Sequence, residues 1–327
     1  MCYKLCVVGI GEILMDVFEN GEATLGGAPF NVAFHVHQLL SALSLGEAVV
    51  LSAVGRDVWG RSIRAQVAAA GMSTGYLANV ERQPTGTALV FESEGEAGFE
   101  IRQNVAWDFI EFNHSACELS KRCDAVVFGS LAQRAELSRR SIREFVANVR
   151  GNRLYDVNLR SNTTDCAAGY NAEIIAESLN LATLVKMNDA ELEEVCQLLG
   201  LTSEASDYEE RIRLFMERLR AVFSLDAVAI TRGSKGALLA CNGKLLTLPD
   251  SELDQAFVHP VGGGDSFAAG LLFGIMQGWA PEHSLELAKL LSNWVVRHVS
   301  ATPPLPEEIR LQVVELVNRA GALTQLR

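Results

Sequence analysis

The segment 261–267 combines three consecutive glycines with a carboxylate and a following apolar run. Glycine has no Cβ, so Gly262, Gly263 and Gly264 let the backbone turn tightly and bring N–H groups close to a bound group. The residues after Asp265 predict a helix, and a helix N-terminus favours anions such as phosphate. A carboxylate beside such an anion site is suited to take a proton from a hydroxyl group that is being phosphorylated. The alternative is a glycine-rich turn in which Asp265 is an ordinary helix N-cap.

Elements that would position this segment alternate along the chain between short β-branched runs and amphipathic stretches of helical period. Strands are expected at residues 5–10, 49–54, 125–129, 154–158, 184–188 and 227–231. Helices are expected at residues 31–44, 61–70, 141–149, 190–199 and 209–222. The alternation predicts right-handed βαβ units and a mostly parallel sheet with helices on both faces. Because ligands in open α/β sheets bind at the carboxyl ends of the strands, we expect one active site at that edge.

Two segments in the N-terminal half break this alternation. Residues 16–27 and 86–102 alternate apolar and polar positions around Asn-Gly and Glu-Gly turns. This pattern predicts antiparallel strands with at least one solvated face. Two such excursions predict a small β lid that closes over a substrate and excludes water. The chain is therefore expected to form one α/β domain over residues 1–327, with the lid built from these two segments.

Composition excludes several other classes of protein. The 327 residues are 49% apolar, yet no run of about 18 uninterrupted apolar residues occurs, so we expect no membrane span. The N-terminal apolar stretch runs into an acidic one without a small-residue cleavage site, which favours a first strand over a signal peptide. Seven scattered cysteines without a C-x-x-C pair predict reduced thiols in a cytoplasm and no zinc site. A net charge of −12 argues against nucleic acid as a partner.

The segment VGGGDSFAAG resembles the C-terminal motif D-T-x-G-A-G-D of the phosphofructokinase-B, or ribokinase-like, carbohydrate kinases. Gly262, Gly264 and Asp265 match the motif, Gly263 replaces the usual alanine, and His259 stands where the family has its first aspartate. The resemblance implies the ribokinase-like three-layer α/β fold, with a mostly parallel sheet and a small antiparallel β lid. It also implies that Asp265 is the catalytic base and that the N–H groups of the three glycines stabilise the transferred phosphoryl group.

A second glycine motif, GGAPFNVA, resembles the sugar-binding segment of fructokinases. The resemblance places Gly26, Gly27 and Asn31 at the sugar, where Gly27 and Asn31 would bond its hydroxyl groups. It also implies that Asp16, in GEILMD, holds two further hydroxyls and that Arg102, in FEIRQNVAWD, reaches the sugar from the lid. Without the family, the same residues would form a lid-to-helix turn and a solvated acid at a strand end.

Three further segments resemble elements of this family that handle phosphate, metal and nucleotide. YDVNLR is similar to the fructokinase D-x-N-x-R strand end and implies that Arg160 approaches the transferred phosphate. KMNDAE matches the N-x-x-E element, in which Asn188 and Glu191 would hold Mg²⁺ through water. The alternative there is a helix N-cap with an acidic first turn. TRGSKG resembles the ATP loop and implies nucleotide contacts from Asn188 and from Thr231, Arg232, Gly233, Ser234 and Gly236.

Two other nucleotide-binding classes fit the sequence poorly. Gly9 and Gly11 follow the first strand, but the third glycine of the dinucleotide fingerprint G-x-G-x-x-G falls on Leu14. An isolated G-x-G is therefore poor support for a dinucleotide oxidoreductase. No G-x-x-x-x-G-K-[ST] segment occurs, which argues against a Walker-type NTPase.

The family resemblance extends over residues 9–302 and predicts an ATP-dependent kinase that phosphorylates a primary hydroxyl of a sugar, with fructose favoured. Ribose, a nucleoside or 2-keto-3-deoxygluconate fits the same scaffold. A non-catalytic sugar-binding relative is favoured only by His259, whereas Asp265, Asn188 and Glu191 together argue for catalysis. The resemblance also implies a site for a monovalent cation, usually K⁺, to which the first aspartate of the motif contributes one ligand. The imidazole of His259 is a poor ligand for such an ion, so we expect this cation site to be weak or absent. Whether the lid pairs with a second subunit to form a homodimer is left open.

Overall fold

The computed structural model of the chain describes residues 4–93, 96–159, 170–249 and 261–321. Its larger sheet has nine strands, which in chain order are β1 (Leu5–Ile10), β4 (Gly46–Gly55), β5 (Leu77–Val80), β8 (Ala125–Gly129), β9 (Asn152–Asp156), β10 (Leu184–Asn188), β11 (Ala227–Thr231), β12 (Ala237–Cys241) and β13 (Lys244–Leu248). The four strands of a smaller sheet are β2 (Leu14–Phe18), β3 (Ala23–Gly26), β6 (Gly86–Ser93) and β7 (Glu96–Ile101).

The larger sheet has the order β13-β12-β11-β10-β9-β8-β1-β4-β5. Its strands from β11 to β5 run parallel, and β12 and β13 are antiparallel at one edge. The strands that follow β1 in the sequence, β4 and β5, lie on one side of β1 in the sheet. The later strands, from β8 to β13, lie on its other side. The order therefore reverses beside β1, and such a switch point opens a crevice at the carboxyl ends of the strands.

Helices cover both faces of the larger sheet, as the strand–helix alternation predicts. They are α1 (Ala28–Ala42), α2 (Val58–Ala69), α3 (His114–Lys121), α4 (Glu136–Asn148), α5 (Ala172–Leu181), α6 (Asp189–Leu198), α7 (Tyr208–Phe223), α8 (Gly263–Met276), α9 (Pro281–Val295) and α10 (Glu307–Gly321). One apolar core joins the sheet to α3, α4, α5, α6 and α7, and a second joins it to α1, α2, α8, α9 and α10. This arrangement is the predicted three-layer α/β fold.

The smaller sheet has the order β3-β2-β6-β7 and contains the two segments in which antiparallel strands were predicted. We call it the lid, although its closure over a substrate stays a prediction. The pairs β2–β3 and β6–β7 are antiparallel, in agreement with the sequence pattern, and a parallel pair, β2–β6, joins the two hairpins. Asp16, Ala88 and Ile101 are neighbours across three of its strands. Their side chains lie on the face of the lid that lines a cavity above the larger sheet. The Glu-Gly turn expected at 94–95 lies outside the described residues.

Polar contacts anchor the lid where it leaves the body of the protein. Before β6, the N–H of Thr85 donates to Oδ2 of Asp57 at 2.7 Å, and its hydroxyl donates to Oδ1 of the same carboxylate at 2.6 Å. After β7, the carbonyl of Arg102 accepts from Nη2 of Arg134 at 2.7 Å, and Arg134 also forms a buried ion pair with Asp108. These contacts set the position of β6 and β7 relative to the carboxyl ends of the main strands.

Element boundaries differ from the expected ones by a few residues. The strand expected at 154–158 is Asn152–Asp156, and Asn158 has a φ of 42°, which is incompatible with an extended strand. The helix expected at 141–149 begins at Glu136, because its first turn carries mostly polar residues that add nothing to the apolar period. Within the described ranges, no helix has both the length and the apolar character that a membrane crossing needs.

Candidate active site

A cavity of about 310 Å³ lies between the lid and the carboxyl ends of the main strands. This volume is at the lower end of the range of about 300–1,000 Å³ for small-molecule pockets. Its wall is formed by strands of the lid, the start of α1, the ends of β9, β10 and β11 and the N-terminus of α8. The polar residues that line it are Glu12, Asp16, Asn31, Asn158, Lys186, Asn188, Glu191, Thr231 and Asp265. We call it the substrate cavity.

The glycine segment at this cavity forms the N-terminus of α8. Gly262 is the N-cap, so the helix begins at Gly263 and Asp265 lies in its first turn. The interpretation of Asp265 as the N-cap is therefore wrong, because its side chain bonds elsewhere and the helix begins two residues earlier. The first intrahelical bond is donated by the N–H of Ser266 to the carbonyl of Gly262. The N–H groups of Gly263, Gly264 and Asp265 precede it and have no intrahelical acceptor, which suits them to bind an anion.

The conformation of Gly262 is supported by a loop that follows α9. Gly262 has a φ of +81°, and a Cβ added there would lie 2.6 Å from Cβ of Ala301. The carbonyl of Ala301 in turn lies 2.9 Å from Nε2 of His35, which is fully buried on α1. Burial lowers the pKa of His35 to about 4, so the imidazole is neutral and Nε2–H donates to this carbonyl. Helix α1 thus holds the turn that precedes α8.

Asn31, expected at the sugar, is in contact with the expected catalytic base. Its amide Nδ2 donates to Oδ2 of Asp265 at 2.7 Å, and the two residues are only 3% and 8% exposed. Its other polar atom, Oδ1, is buried and has no hydrogen-bond partner among the described residues. Asn31 also lines the substrate cavity, which makes this unpartnered Oδ1 a candidate acceptor for a ligand hydroxyl, while Nδ2 contacts the carboxylate. The sequence motif did not indicate this contact with the base.

The lid side of the cavity contains two of the other residues expected at the sugar. Asp16 lines the cavity and is 8% exposed, and Gly27 lines it at the start of α1. Gly26 lies directly against Asp16, since a Cβ at this position would overlap Oδ2 of the carboxylate. Arg102 is not brought into this group: its side chain is exposed at the end of β7, and Ile101 lines the cavity in its place.

Asn188 and Glu191 form a capping box at the start of α6. Oδ1 of Asn188 accepts from the N–H of Glu191, and Oε2 of Glu191 accepts from the N–H of Asn188, both at 2.8 Å. Oε1 of Glu191 accepts from the N–H of Leu159, also at 2.8 Å. Each carboxylate oxygen keeps a second lone pair, and both residues line the cavity, so the pair fits an ion held through water. Mg²⁺ at this position stays a prediction.

Lys186 and Asp156 form a buried ion pair that the sequence analysis missed. They are partners in the register of β10 and β9, and Nζ of Lys186 lies 3.1 Å from Oδ1 of Asp156. Burial lowers the pKa of Lys186, but the surrounding carboxylates, Asp156 foremost, outweigh burial and raise it, so the ammonium is charged. Burial raises the pKa of Asp156, and Lys186 opposes this. A charged residue inside each of two buried strand segments was the available sequence signal.

A second cavity of about 190 Å³ adjoins the first and shares Thr231 and Gly264 with it. Its wall contains four residues of the expected nucleotide loop, which are Thr231, Gly233, Ser234 and Gly236. Arg232 is not in this wall, because its guanidinium bonds both carboxylate oxygens of Glu209 at 2.7 and 2.9 Å. Helix α9 adds Lys289, Ser292 and Asn293, which no motif indicated. We call it the nucleotide cavity.

A family model described as pfkB family carbohydrate kinase matches residues 6–308 of the chain. The chain belongs to this family. A fructokinase of Klebsiella pneumoniae is 27% identical to this pfkB-family kinase over 292 residues, which are 85% of this chain and 87% of that protein. An aminoimidazole riboside kinase of Salmonella typhimurium is 28% identical over 297 residues, or 87% of this chain and 85% of that protein.

Among solved structures, this pfkB-family kinase is similar to an uncharacterized sugar kinase from Pyrococcus horikoshii in complex with ATP. The identity is 23%, the TM-score is 0.77, and the match covers 94% of this chain and 100% of that chain. The predicted family and the predicted ribokinase-like fold are thereby confirmed.

Two of the residues expected at the site, Arg160 and His259, lie outside the described residues of this pfkB-family kinase.

Proposed function

We propose that this pfkB-family kinase transfers the γ-phosphoryl group of ATP to a primary hydroxyl of a ketohexose, with fructose as the substrate. One observation carries the proposal: the carboxylate of Asp265, held by Asn31, stands at the N-terminus of α8 where the substrate and nucleotide cavities meet. A base and an anion site at the junction of two cavities suit the transfer of a phosphoryl group between two ligands.

ATP is assigned to the nucleotide cavity, with its phosphates directed toward α8. Thr231 and Gly264 line both cavities and therefore mark the passage for the phosphates. The N–H groups of the glycine segment and the positive end of the helix dipole would bind the γ-phosphoryl group. Asn188 and Glu191 would hold Mg²⁺ through water, and the ion would offset the negative charge of the phosphates.

The sugar is assigned to the substrate cavity beneath the lid. Asp16 and the Oδ1 atom of Asn31 would accept hydrogen bonds from its hydroxyl groups, and Gly27 gives the backbone close access. Both side chains are more than nine-tenths buried, so a bound sugar would replace little protein–water contact. Arg102 is exposed outside this cavity and has no place in the proposal.

In the reaction, the oxygen of the primary hydroxyl forms a bond to the γ-phosphorus. The carboxylate of Asp265 accepts the proton that this hydroxyl loses. The bond from that phosphorus to the β,γ-bridging oxygen breaks, and ADP leaves with the electron pair. Charge on the transferred group is stabilised by the N–H groups of Gly263, Gly264 and Asp265, which are already oriented at the start of α8 before the reaction. The hydrogen bond from Asn31 to Oδ2 of Asp265 keeps this carboxylate in one orientation. Oδ1 of Asp265 is then left to accept the proton of the hydroxyl.

Replacement of Asp265 by asparagine tests this mechanism. We expect kcat to fall by about 10²–10⁴-fold, the usual contribution of a positioned general base. ATP binding, measured by calorimetry, should be retained. Asp207→Asn is the matched control, because Asp207 caps α7 and asparagine is an equally good N-cap. Near-wild-type ADP release by Asp265→Asn would exclude Asp265 as the base.

The identity of the sugar has a separate test. The fructokinase relative favours fructose, whereas the aminoimidazole riboside kinase relative supports a nucleoside as the second candidate. ADP release should be measured with fructose, ribose, aminoimidazole riboside and 2-keto-3-deoxygluconate. A kcat/KM for any other acceptor well above that for fructose would refute the substrate assignment and leave the phosphotransfer mechanism standing.

A further inference from the structure

The charges that line the substrate cavity are mostly negative. Carboxylates of Glu12, Asp16, Glu191 and Asp265 line it, and Lys186 is the only cationic side chain among its described lining residues. Like charges a few ångströms apart repel strongly where water is scarce. The phosphates of a nucleotide therefore need a compensating positive charge at this end of the sheet. Lys289 lines the nucleotide cavity, and Lys186 is the candidate among the described residues that line the substrate cavity.

The ammonium of Lys186 lies against the glycine segment. Its Nζ atom is only 2.8 Å from the position that a Cβ on Gly264 would occupy. Gly264 is the second residue of α8, so the ammonium and the free N–H groups of the helix N-terminus lie at the same place. An anion bound by those N–H groups would be within reach of Lys186.

Asp156 is the acidic partner of this ammonium. Its two carboxylate oxygens lie 3.1 and 3.5 Å from Nζ of Lys186, and the residue is 1% exposed. An ammonium has three N–H donors, and a carboxylate at these distances occupies at most two of them. The third N–H is therefore left for the cavity side, where Gly264 and Asp265 lie.

We propose that Lys186 is a further catalytic residue, which donates a hydrogen bond from Nζ to an oxygen of the transferred phosphoryl group, and that Asp156 is the positioning residue for this ammonium. The inference rests on the proposed function, because it requires ATP at the N-terminus of α8. A cation fixed in advance beside the oxygens that carry charge in the transition state stabilises that state without reorganisation. The ion pair keeps the long lysine side chain in one conformation.

The test compares the full-length wild-type kinase with Lys186→Met. Because removal of one partner leaves Asp156 as an uncompensated buried charge, the double variant Lys186→Met/Asp156→Asn is measured as well. Lys121→Met is the matched control, since Lys121 is exposed and pairs with Glu118 on the same helix, away from both cavities. Calorimetry is performed with ATP, ADP and AMP, and steady-state rates with the best sugar of the panel.

We expect kcat to fall about 10²–10³-fold in both Lys186 variants, the usual effect of losing one donor to a transition-state anion. The affinity for ATP should fall while that for AMP, which lacks the terminal phosphates, stays at the wild-type value. Turnover of the folded double variant within threefold of wild type, or equal losses of affinity for ATP and AMP, would overturn the role of Lys186 alone. A wild-type kinase that binds no ATP would instead overturn the proposed function, and the inference with it.

Discussion

Replacing Asn31 by leucine should lower kcat of this kinase by about 10–150-fold. The change removes the donor of a 2.7 Å hydrogen bond to the carboxylate of Asp265, between two residues that are 3% and 8% exposed. A hydrogen bond to a charged group contributes about 1.5–3 kcal/mol, and each 1.36 kcal/mol is a factor of ten in rate. Leucine is close to asparagine in size, so a packing defect adds little to this loss.

The kinetic constants separate the two roles of Asn31. Under the proposed function, loss of Nδ2 disturbs the proposed base Asp265 and lowers kcat, whereas loss of Oδ1 removes the proposed sugar contact and raises KM for the sugar. The variant Asn31→Asp keeps an oxygen at the sugar but replaces the donor by a second negative charge beside Asp265. We therefore expect Asn31→Leu to change both constants and Asn31→Asp to change mainly kcat.

The assay is the initial rate of ADP release with the sugar varied at saturating ATP. Asn148→Leu is the control for the substitution itself, because Asn148 is exposed at the end of α4, where its amide donates to the carbonyl of Glu144 on the same helix. A kcat for Asn31→Leu within threefold of wild type, together with a raised KM, would show that Asn31 serves the sugar alone. The reasoning that Asn31 orients the base would then be refuted.

Three other predictions concern residues in or near the glycine segment, which are His35, Gly262 and His259. His35 has a pKa lowered to about 4 against 6.5 in the unfolded chain, so its contribution is complete above pH 6.5 and is lost as pH falls toward 4. Wild type should therefore lose about 2 kcal/mol more unfolding free energy than His35→Gln between pH 7 and 4.5 in urea titrations, and equal losses would contradict this. Gly262→Ala should cost about 1–3 kcal/mol in the same titration, because alanine strains at positive φ, and should reduce turnover; an unchanged midpoint would contradict this. Since the imidazole of His259 is a poor ligand for K⁺, turnover in choline buffer should change little when K⁺ is added at constant ionic strength, and a saturable several-fold rise would show that the cation site survives.

Local features of the fold and of the site were predictable from the sequence. The alternation of strand and helix patterns indicated the parallel sheet. A buried strand and the buried face of a helix each produce a characteristic spacing of apolar residues in the sequence. The glycine segment indicated a helix N-terminus with free N–H groups, and the alternative interpretation of Asn188 as an N-cap is confirmed by its capping box with Glu191. Each of these features depends on residues within a few positions of one another.

Contacts between distant elements were decided only by the tertiary structure. Asn31 and Asp265 are 234 residues apart in the chain, and they meet because α1 and α8 pack side by side on one face of the sheet. Arg102 matches the family pattern, yet the end of β7 turns its side chain to solvent while Ile101 faces the cavity. Neighbouring residues of a strand point to opposite faces, so a shift of one position decides which of them reaches a ligand.

The ion pair of Lys186 with Asp156 shows why such contacts cannot be predicted from residue types alone. Residue types alone place a charge inside each of two buried strands, which is unfavourable for either strand by itself. Only the register of β9 against β10 brings the two charges together, and only the position of α8 brings Gly264 against the ammonium. Periodicity therefore determines what each element is, whereas register and packing angle, which depend on the whole core, determine which side chains meet.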